Sequence, residues 1–357
     1  SPLLLFSLLA LPLAYAAFVF NRPATAEREI SIVAVQPNVS PLADYSPENL
    51  PDIFGRQLAL TDRAVRPGAP DLILWNEAAV PYILSDDAAA NRYLAKQLKK
   101  WDAPVLTGLI EIRDYADGAL RPPLLVAQDR RQEFFNAAAL FEPSTVADGK
   151  LPVALSELYL KRRLMPFLEH VPLSDRFPAL ADLVIPVGTR PRLSYGERTK
   201  TFDFRAKDGS LVRVGTMICY ENLYPELAVD AVRDGAQVLT AITNEGFFAG
   251  SQGQYQLAAF ARFRAIETRR ALVRAAATGI TRAVDRFGRV TAEVPVWSEQ
   301  ILRAGVALSD ERTFYARFGD WLPKLCLAAV GLLIFAAAGK SLVTTGARIF
   351  SPKRSAD

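Results

Sequence analysis

Short apolar runs alternating with amphipathic stretches predict an α/β domain for the body of this 357-residue chain. Three observations carry that reading. The runs are apolar at consecutive positions, as strands buried on both faces require. The stretches between them carry apolar residues at helical spacing. Several runs end on a polar residue: Glu77 after Trp75, Cys219 after Ile218 and Asn244 after Thr243. Open α/β sheets gather their functional groups at the carboxyl ends of strands.

Composition narrows the function. Half the residues are hydrophobic and the formal charge is only +4, with no basic block inside the body, which argues against nucleic acid as a partner. The 24 prolines come without any repeat, so they point to long loops. Two cysteines, Cys219 and Cys326, and one histidine, His170, exclude the usual zinc sites.

In chain order, Pro2 to Phe20 carries no charge and is long enough to cross a hydrocarbon core of about 30 Å. Ala14-Tyr15-Ala16 resembles a signal-peptide cleavage site, but an initiating Met and a basic flank are missing. The expectation is therefore the last upstream membrane helix of a longer protein, over 1–21. Glu29–Asn38 reads as a strand, 41–51 as a Pro- and Asp-rich loop, and Asp52–Val65 as a helix. Asp71–Trp75 is a short buried strand, Asp86–Trp101 a helix, and Pro104–Ile110 and Phe134–Phe141 are strands. Val212–Cys219 is a strand, Asn222–Gly235 a helix, Gln237–Thr243 a strand and Gln252–Arg270 a long helix. Leu272–Thr278 and Thr281–Asp285 complete the set as a final pair of strands. The body thus spans 28–312. A second apolar segment, Trp321–Ala338, predicts a membrane helix over 320–340 with a tail at 341–357. Lys340, Arg348, Lys353 and Arg354 beyond it, against Arg317 and Lys324 before it, place the tail in the cytoplasm and the body outside the inner membrane.

A lone cysteine in an apolar run is ordinarily structural. Here Cys219 closes a strand and is followed by Tyr220 and Glu221, the setting of a nucleophile on a strand-to-helix turn. A thiol needs a base, which Glu77 can supply. A tetrahedral intermediate needs a cation, which Lys161 can supply behind Leu158-Tyr159-Leu160. Glu169 either assists, caps a turn, or pairs with Arg162 or Arg163, and His170 reads as a loop residue. Phe134, Phe135, Phe247 and Phe248 read as core or lipid-facing loop.

The order Glu77, Lys161, Cys219 stands in the contexts Trp75-Asn-Glu-Ala-Ala-Val-Pro81, Tyr159-Leu-Lys161 with Pro166-Phe-Leu-Glu169, and Ile218-Cys-Tyr-Glu-Asn222. These resemble the nitrilase, or carbon–nitrogen hydrolase, superfamily from Ser31 to about Leu308. Thr243-Asn-Glu-Gly-Phe-Phe248 and the helix Phe260–Glu267 also fit. The apolar ends and Cys-Tyr-Glu are similar to its bacterial apolipoprotein N-acyltransferase branch. The resemblance implies a four-layer αββα sandwich flanked by transmembrane helices, with a catalytic Glu77, Lys161 and Cys219. It further implies support from Glu169, Tyr220, Glu221 and Asn244, and no cofactor or metal. The implied reaction moves an acyl chain from a phospholipid donor to the N-terminal amine of a diacylglyceryl apolipoprotein. A membrane-tethered amidase or nitrilase, or an inactive binding domain, are the alternatives. Asn76 stands where the family usually has Pro, Gly246-Phe247 departs from its usual loop, and its common His in the next helix is absent.

Overall fold

A computed structural model describes residues 2–21, 28–114, 125–127, 130–154, 157–174, 176–177, 180, 193–248 and 251–349. Its first unit, residues 1–313, holds two sheets. The chain enters through helix α1 (Pro2–Phe20), strand β1 (Glu29–Gln36), α2 (Leu50–Val65), β2 (Leu72–Leu74) and α3 (Ala88–Trp101). It continues through β3 (Val105–Asp114), β4 (Leu125–Ala127), β5 (Arg130–Phe141) and β6 (Tyr159–Leu160). The second half has β7 (Thr201–Arg205), β8 (Leu211–Ile218), α4 (Pro225–Arg233), β9 (Val238–Thr243), α5 (Gly253–Thr268) and β10 (Leu272–Ala276). Then come β11 (Thr281–Val284), β12 (Val290–Val294) and β13 (Gln300–Ala307).

The first sheet runs β13-β1-β2-β3-β5-β4 with β6 on β5, and the second runs β12-β11-β10-β9-β8-β7. Period-two alternation in β1 decides how they stack. Ile30, Ile32 and Ala34 join Leu72, Leu74, Val212, Val214, Val238 and Val273 in a core between the sheets. Val33 and Val35 face the other way, against Phe54 and Leu58 of α2 and Leu94 and Leu98 of α3. On the outer face of the second sheet α4 packs against β8 and α5 against β10. The order of layers is helix, sheet, sheet, helix, as the resemblance implies.

Several expectations need correcting. Leu272–Ala276 and Thr281–Val284 are not the last strands, because β12 and β13 follow and β13 pairs antiparallel with β1. β13 alternates exposed and buried residues at the sheet edge, so it lacks the continuous apolar run that marks the central strands. The edge strand β7 alternates in the same way, and the three-residue β4 and two-residue β6 are too short to show a period. The helix expected from Asn222 starts at Pro225, after a 3-10 turn over Cys219–Leu223.

Phe314–Asp357 forms a second unit. Its helices are α6 (Phe314–Phe318) and α7 (Trp321–Ile349), and Trp321–Ala338 is exposed, apolar and long enough to cross a membrane. In α1 the apolar stretch described in full, Ala10–Phe20, is shorter. Lys353 and Arg354 lie outside the described residues.

Two glycines let backbones close on the first sheet. Gly108 of β3 donates its N–H to Asn76 O at 3.2 Å, and a Cβ there would stand 2.7 Å from Glu77 Cα and 2.5 Å from Ala78 N. Gly196 donates to Lys161 O at 2.8 Å, and a Cβ would fall 2.0 Å from Leu160 O. Backbone cannot yield as a flexible side chain would, so Gly108→Ala is expected to cost ~1–3 kcal/mol and to push the Glu77 loop off β3. A lowered melting temperature together with lost reactivity at Cys219 checks it; a variant identical to wild type in both refutes it.

Candidate active site

Three strand ends converge at one point. Trp75 closes β2 and is locked by its indole N–H on Thr61 Oγ1 at 3.0 Å and by the edge of Trp101 at 5.7 Å. That fixes the next two residues, Asn76 and Glu77, both buried. β6 pairs with β5 through Leu160 and Ala137, so Lys161 emerges beside Asn136 and donates its backbone N–H to Asn136 O at 2.8 Å. β8 ends at Ile218, and Cys219 follows with φ of 53°. A left-handed conformation at a non-glycine residue is unfavourable and persists only where the surroundings enforce it.

The enforcement comes from Glu221. Its fully buried carboxylate accepts from Ile218 N at 2.8 Å and from Tyr159 Oη at 2.9 Å. It also accepts from Arg162 N at 2.6 Å and from Arg163 N at 3.2 Å. One side chain thus ties the cysteine turn to the lysine segment. Asn222 Nδ2 donates to Cys219 O at 2.9 Å and closes the turn from the other side.

At the centre the Lys161 ammonium, 1% exposed, lies 3.1 Å from Glu77 Oε1 and 2.8 Å from Glu169 Oε1. Asn136 Nδ2 donates to both carboxylates, at 2.7 Å to Glu77 and 3.1 Å to Glu169. Asn244 N donates to Glu77 Oε2 at 2.8 Å. The thiol of Cys219 accepts from Thr243 Oγ1 at 3.6 Å and feels the charges of Glu77 and Lys161. Glu77, Lys161, Cys219 and Glu169 are therefore one contiguous cluster.

The remaining expectations divide. Glu169 does cap a turn, accepting from Met165 N at 2.7 Å, but its ion pair is with Lys161. Arg162 and Arg163 turn instead to Asp230 at 3.0 Å and Glu226 at 3.1 Å. Asn244 contributes its backbone N–H, and Tyr220 sets its ring against Tyr224 at 5.4 Å. His170 is no loose loop residue; it is buried, 4.6 Å from the Tyr195 ring. Of the four phenylalanines Phe135 is core, while the other three are half-buried. Asn136, Tyr159 and the fully buried ion pair Glu245–Arg274 were not foreseen. The one cue for Asn136 was an amide interrupting the apolar run Phe134–Phe141.

Electrostatics sort the groups. Burial pushes the Glu77 carboxyl up, but the Lys161 charge and hydrogen bonds from Asn136, Lys161 and Cys219 outweigh it, so Glu77 is held below the usual carboxylate range. Burial pulls Lys161 down, yet Glu169, Glu77 and Cys219 together raise it above an ordinary lysine. Burial, then the negative charge of Glu77, pushes the Cys219 thiol well up. At rest the site holds an ionised acid, an ammonium and a protonated thiol. A carboxylate near a buried thiol, with an ammonium beside it, can take the proton as the sulfur attacks.

Two outcomes follow from these shifts. Because its pKa is raised, alkylation of Cys219 by iodoacetamide in the folded protein is expected to accelerate only at pH above the ordinary thiol range; a rise centred near pH 8 would contradict the arrangement. Lys161→Met leaves the buried Glu77 and the half-buried Glu169 without their cation and is expected to destabilise the protein by ~3–5 kcal/mol, read as a large fall in melting temperature. A variant as stable as wild type would show that the ammonium is not what offsets them.

Comparison with known proteins agrees with this geometry. The Carbon-nitrogen hydrolase family model matches residues 31–315. The chain is 34% identical over 335 residues to Apolipoprotein N-acyltransferase of Chlorobaculum tepidum, covering 93% of this chain and 61% of that protein. It is 28% identical over 331 residues to the Geobacter metallireducens protein of the same name, covering 91% and 57%. The chain thus spans roughly three-fifths of the length of these curated relatives. Among solved structures, Saccharomyces cerevisiae Nit3 aligns with a TM-score of 0.53 at 19% identity, covering 80% of this chain and 93% of that one. An amidase from Nesterenkonia sp. aligns with a TM-score of 0.53 at 17% identity, covering 85% and 97%. These two share the fold. With the family match running through both sheets and every residue of the buried cluster, the chain belongs to the carbon–nitrogen hydrolase family.

Proposed function

We propose that this chain is the catalytic part of a membrane-bound N-acyltransferase that moves a fatty acyl chain from a phospholipid to the N-terminal amine of a diacylglyceryl-cysteine on an apolipoprotein. The observation that carries the chemistry is the buried ion pair of Glu77 and Lys161, whose charges both act on the Cys219 thiol. The choice of substrate leans on the similarity to apolipoprotein N-acyltransferases and on the exposed apolar span in α7.

In this reading the first half-reaction starts with the Cys219 sulfur attacking the ester carbonyl while Glu77 takes the thiol proton. Concerted transfer is needed, because the thiol is held protonated and Glu77 is held ionised at neutral pH. The carbonyl oxygen gains negative charge beside the Lys161 ammonium, where little water screens the attraction. The C–O bond breaks, Glu77 returns its proton to the departing glycerol oxygen, and an acyl thioester remains on Cys219. In the second half the lipoprotein amine attacks the thioester, Glu77 takes its proton, and the sulfur leaves and is reprotonated. Glu169 and Asn136 hold Lys161 and Glu77 in place throughout; Glu221 holds the turn, and Asn244 binds the base through its N–H. No metal or organic cofactor enters any of these steps.

The topology that fits has α1 and α7 as membrane helices, the body on the external face of the inner membrane and the tail in the cytoplasm. Both substrates would reach the site from the lipid.

The test is to incubate the purified protein with phospholipid and a diacylglyceryl lipopeptide and to follow both species by mass spectrometry. Wild type should show an acyl adduct on Cys219 and an N-acylated peptide, and Cys219→Ala neither. Transfer by Cys219→Ala would sink the mechanism. Release of free fatty acid or amide cleavage without peptide acylation would replace acyl transfer with hydrolysis.

A further inference from the structure

Glu221 fixes the leading side of the Cys219 turn, joining Ile218 to Tyr159 and to the backbone of Arg162. The trailing side hangs on Asn222, whose Nδ2 donates to Cys219 O at 2.9 Å. That bond holds Cys219 only as firmly as Asn222 is itself held.

What holds Asn222 is a residue of α5. Arg264 Nη1 donates to Asn222 O at 3.2 Å, and its Nη2 donates to Glu267 Oε1 at 2.9 Å. The last carbonyls of a helical turn have no partner within it, and a cation that donates to one also meets the negative end of the turn's dipole. Asn222 O is such a carbonyl, one residue from the end of the 3-10 turn Cys219–Leu223.

The placing of Arg264 is costly. α5 buries Leu257, Ala258, Ala261, Arg264, Ala265 and Thr268, at the three- and four-residue spacing of an inner face. A guanidinium only 4% exposed among alanines forfeits its hydration, which is unfavourable unless the charge is paired and hydrogen-bonded. Glu267 lies nearer the surface, its side chain 23% exposed, so that ion pair alone does not require a buried arginine. The bond to Asn222 O does.

We infer that Arg264 is a positioning residue: through Asn222 it holds the backbone of Cys219 in the left-handed conformation from which the sulfur attacks. As a role in acyl transfer this rests on the function proposed above. The guanidinium acts on the turn and takes no part in proton transfer. Without it the turn relaxes and water reaches the thiol. Burial is the main cause that keeps the thiol protonated, so its ionisation then moves down towards the ordinary thiol range.

The experiment treats the full chain in detergent with iodoacetamide from about pH 7 to about pH 10, across the ordinary thiol range. Alkylation is followed by mass spectrometry of the Cys219 peptide, with the exposed Cys326 as an internal reference. Arg264→Met, which keeps length without charge, is expected to be alkylated at Cys219 about tenfold faster than wild type near pH 8, as a tenfold larger thiolate fraction requires. Its kcat for acyl transfer should fall about a hundredfold, with the KM for lipopeptide unchanged. Leu98→Ala, a truncation in the core between the first sheet and its helices, should lower the melting temperature and leave the alkylation profile as in wild type.

A folded Arg264→Met protein with the wild-type profile overturns the inference. So does an equal acceleration in Leu98→Ala, because loss of stability would then account for it. If Arg264→Met does not fold, Asn222→Ala carries the test, since it cuts the last link to Cys219. The same acceleration there supports the role, and a wild-type profile overturns it. Alkylation needs no lipid, so a wild type that transfers no acyl chain removes the proposed reaction, while the profiles still decide whether Arg264 holds the turn.

Discussion

The structure around the site depends on one buried ammonium. Taking Lys161 out of water costs several kcal/mol even after relaxation, and only the two carboxylates of Glu77 and Glu169 within 3.1 Å offset it. Those carboxylates arrive from a loop after β2 and a turn after β6, so the ion cluster ties segments far apart in the chain. Two acids around one cation leave a surplus negative charge. Asn136 Nδ2 and the Asn244 N–H spread it without adding charge, and together with burial, the larger effect, it keeps the Cys219 thiol from ionising. The same arrangement keeps Glu77 ionised and Cys219 protonated.

A second tie runs through Glu221. The core between the sheets is apolar and sets their separation without setting how the strand ends register. Directional contacts do that. Glu221 joins the end of β8 to Tyr159 of β6 and to Arg162 and Arg163, and so links the two sheets where the nucleophile emerges. Glu245, the residue after Asn244, is itself fully buried against Arg274 of β10 and fixes the end of β9 in the same way. Cys219 can hold a left-handed backbone because its neighbours on both sides are pinned.

What could be read from the chain was what the chain writes locally. Central strands such as β8 and β9 are apolar throughout, and their ends on Cys219 and Asn244 were visible without any coordinates. Edge strands β7 and β13 alternate with solvent, and β4 and β6 are too short to show a period, so they were not. Among site residues, Glu77, Lys161 and Cys219 stand in motifs, whereas Asn136 becomes important only when β6 lies down beside β5. Glu169 was ambiguous for the same reason. Which of three nearby cations it would meet depends on how the turn at Pro166 folds, and that turn gave it to Lys161.

The raised thiol has a consequence outside catalysis. Peroxides and disulfides react with thiolates and scarcely with thiols. Under the proposed reaction, a buried cysteine that loses its proton only as it attacks an acyl carbonyl is chemically quiet between turnovers. The burial and charges that slow its ionisation also preserve it.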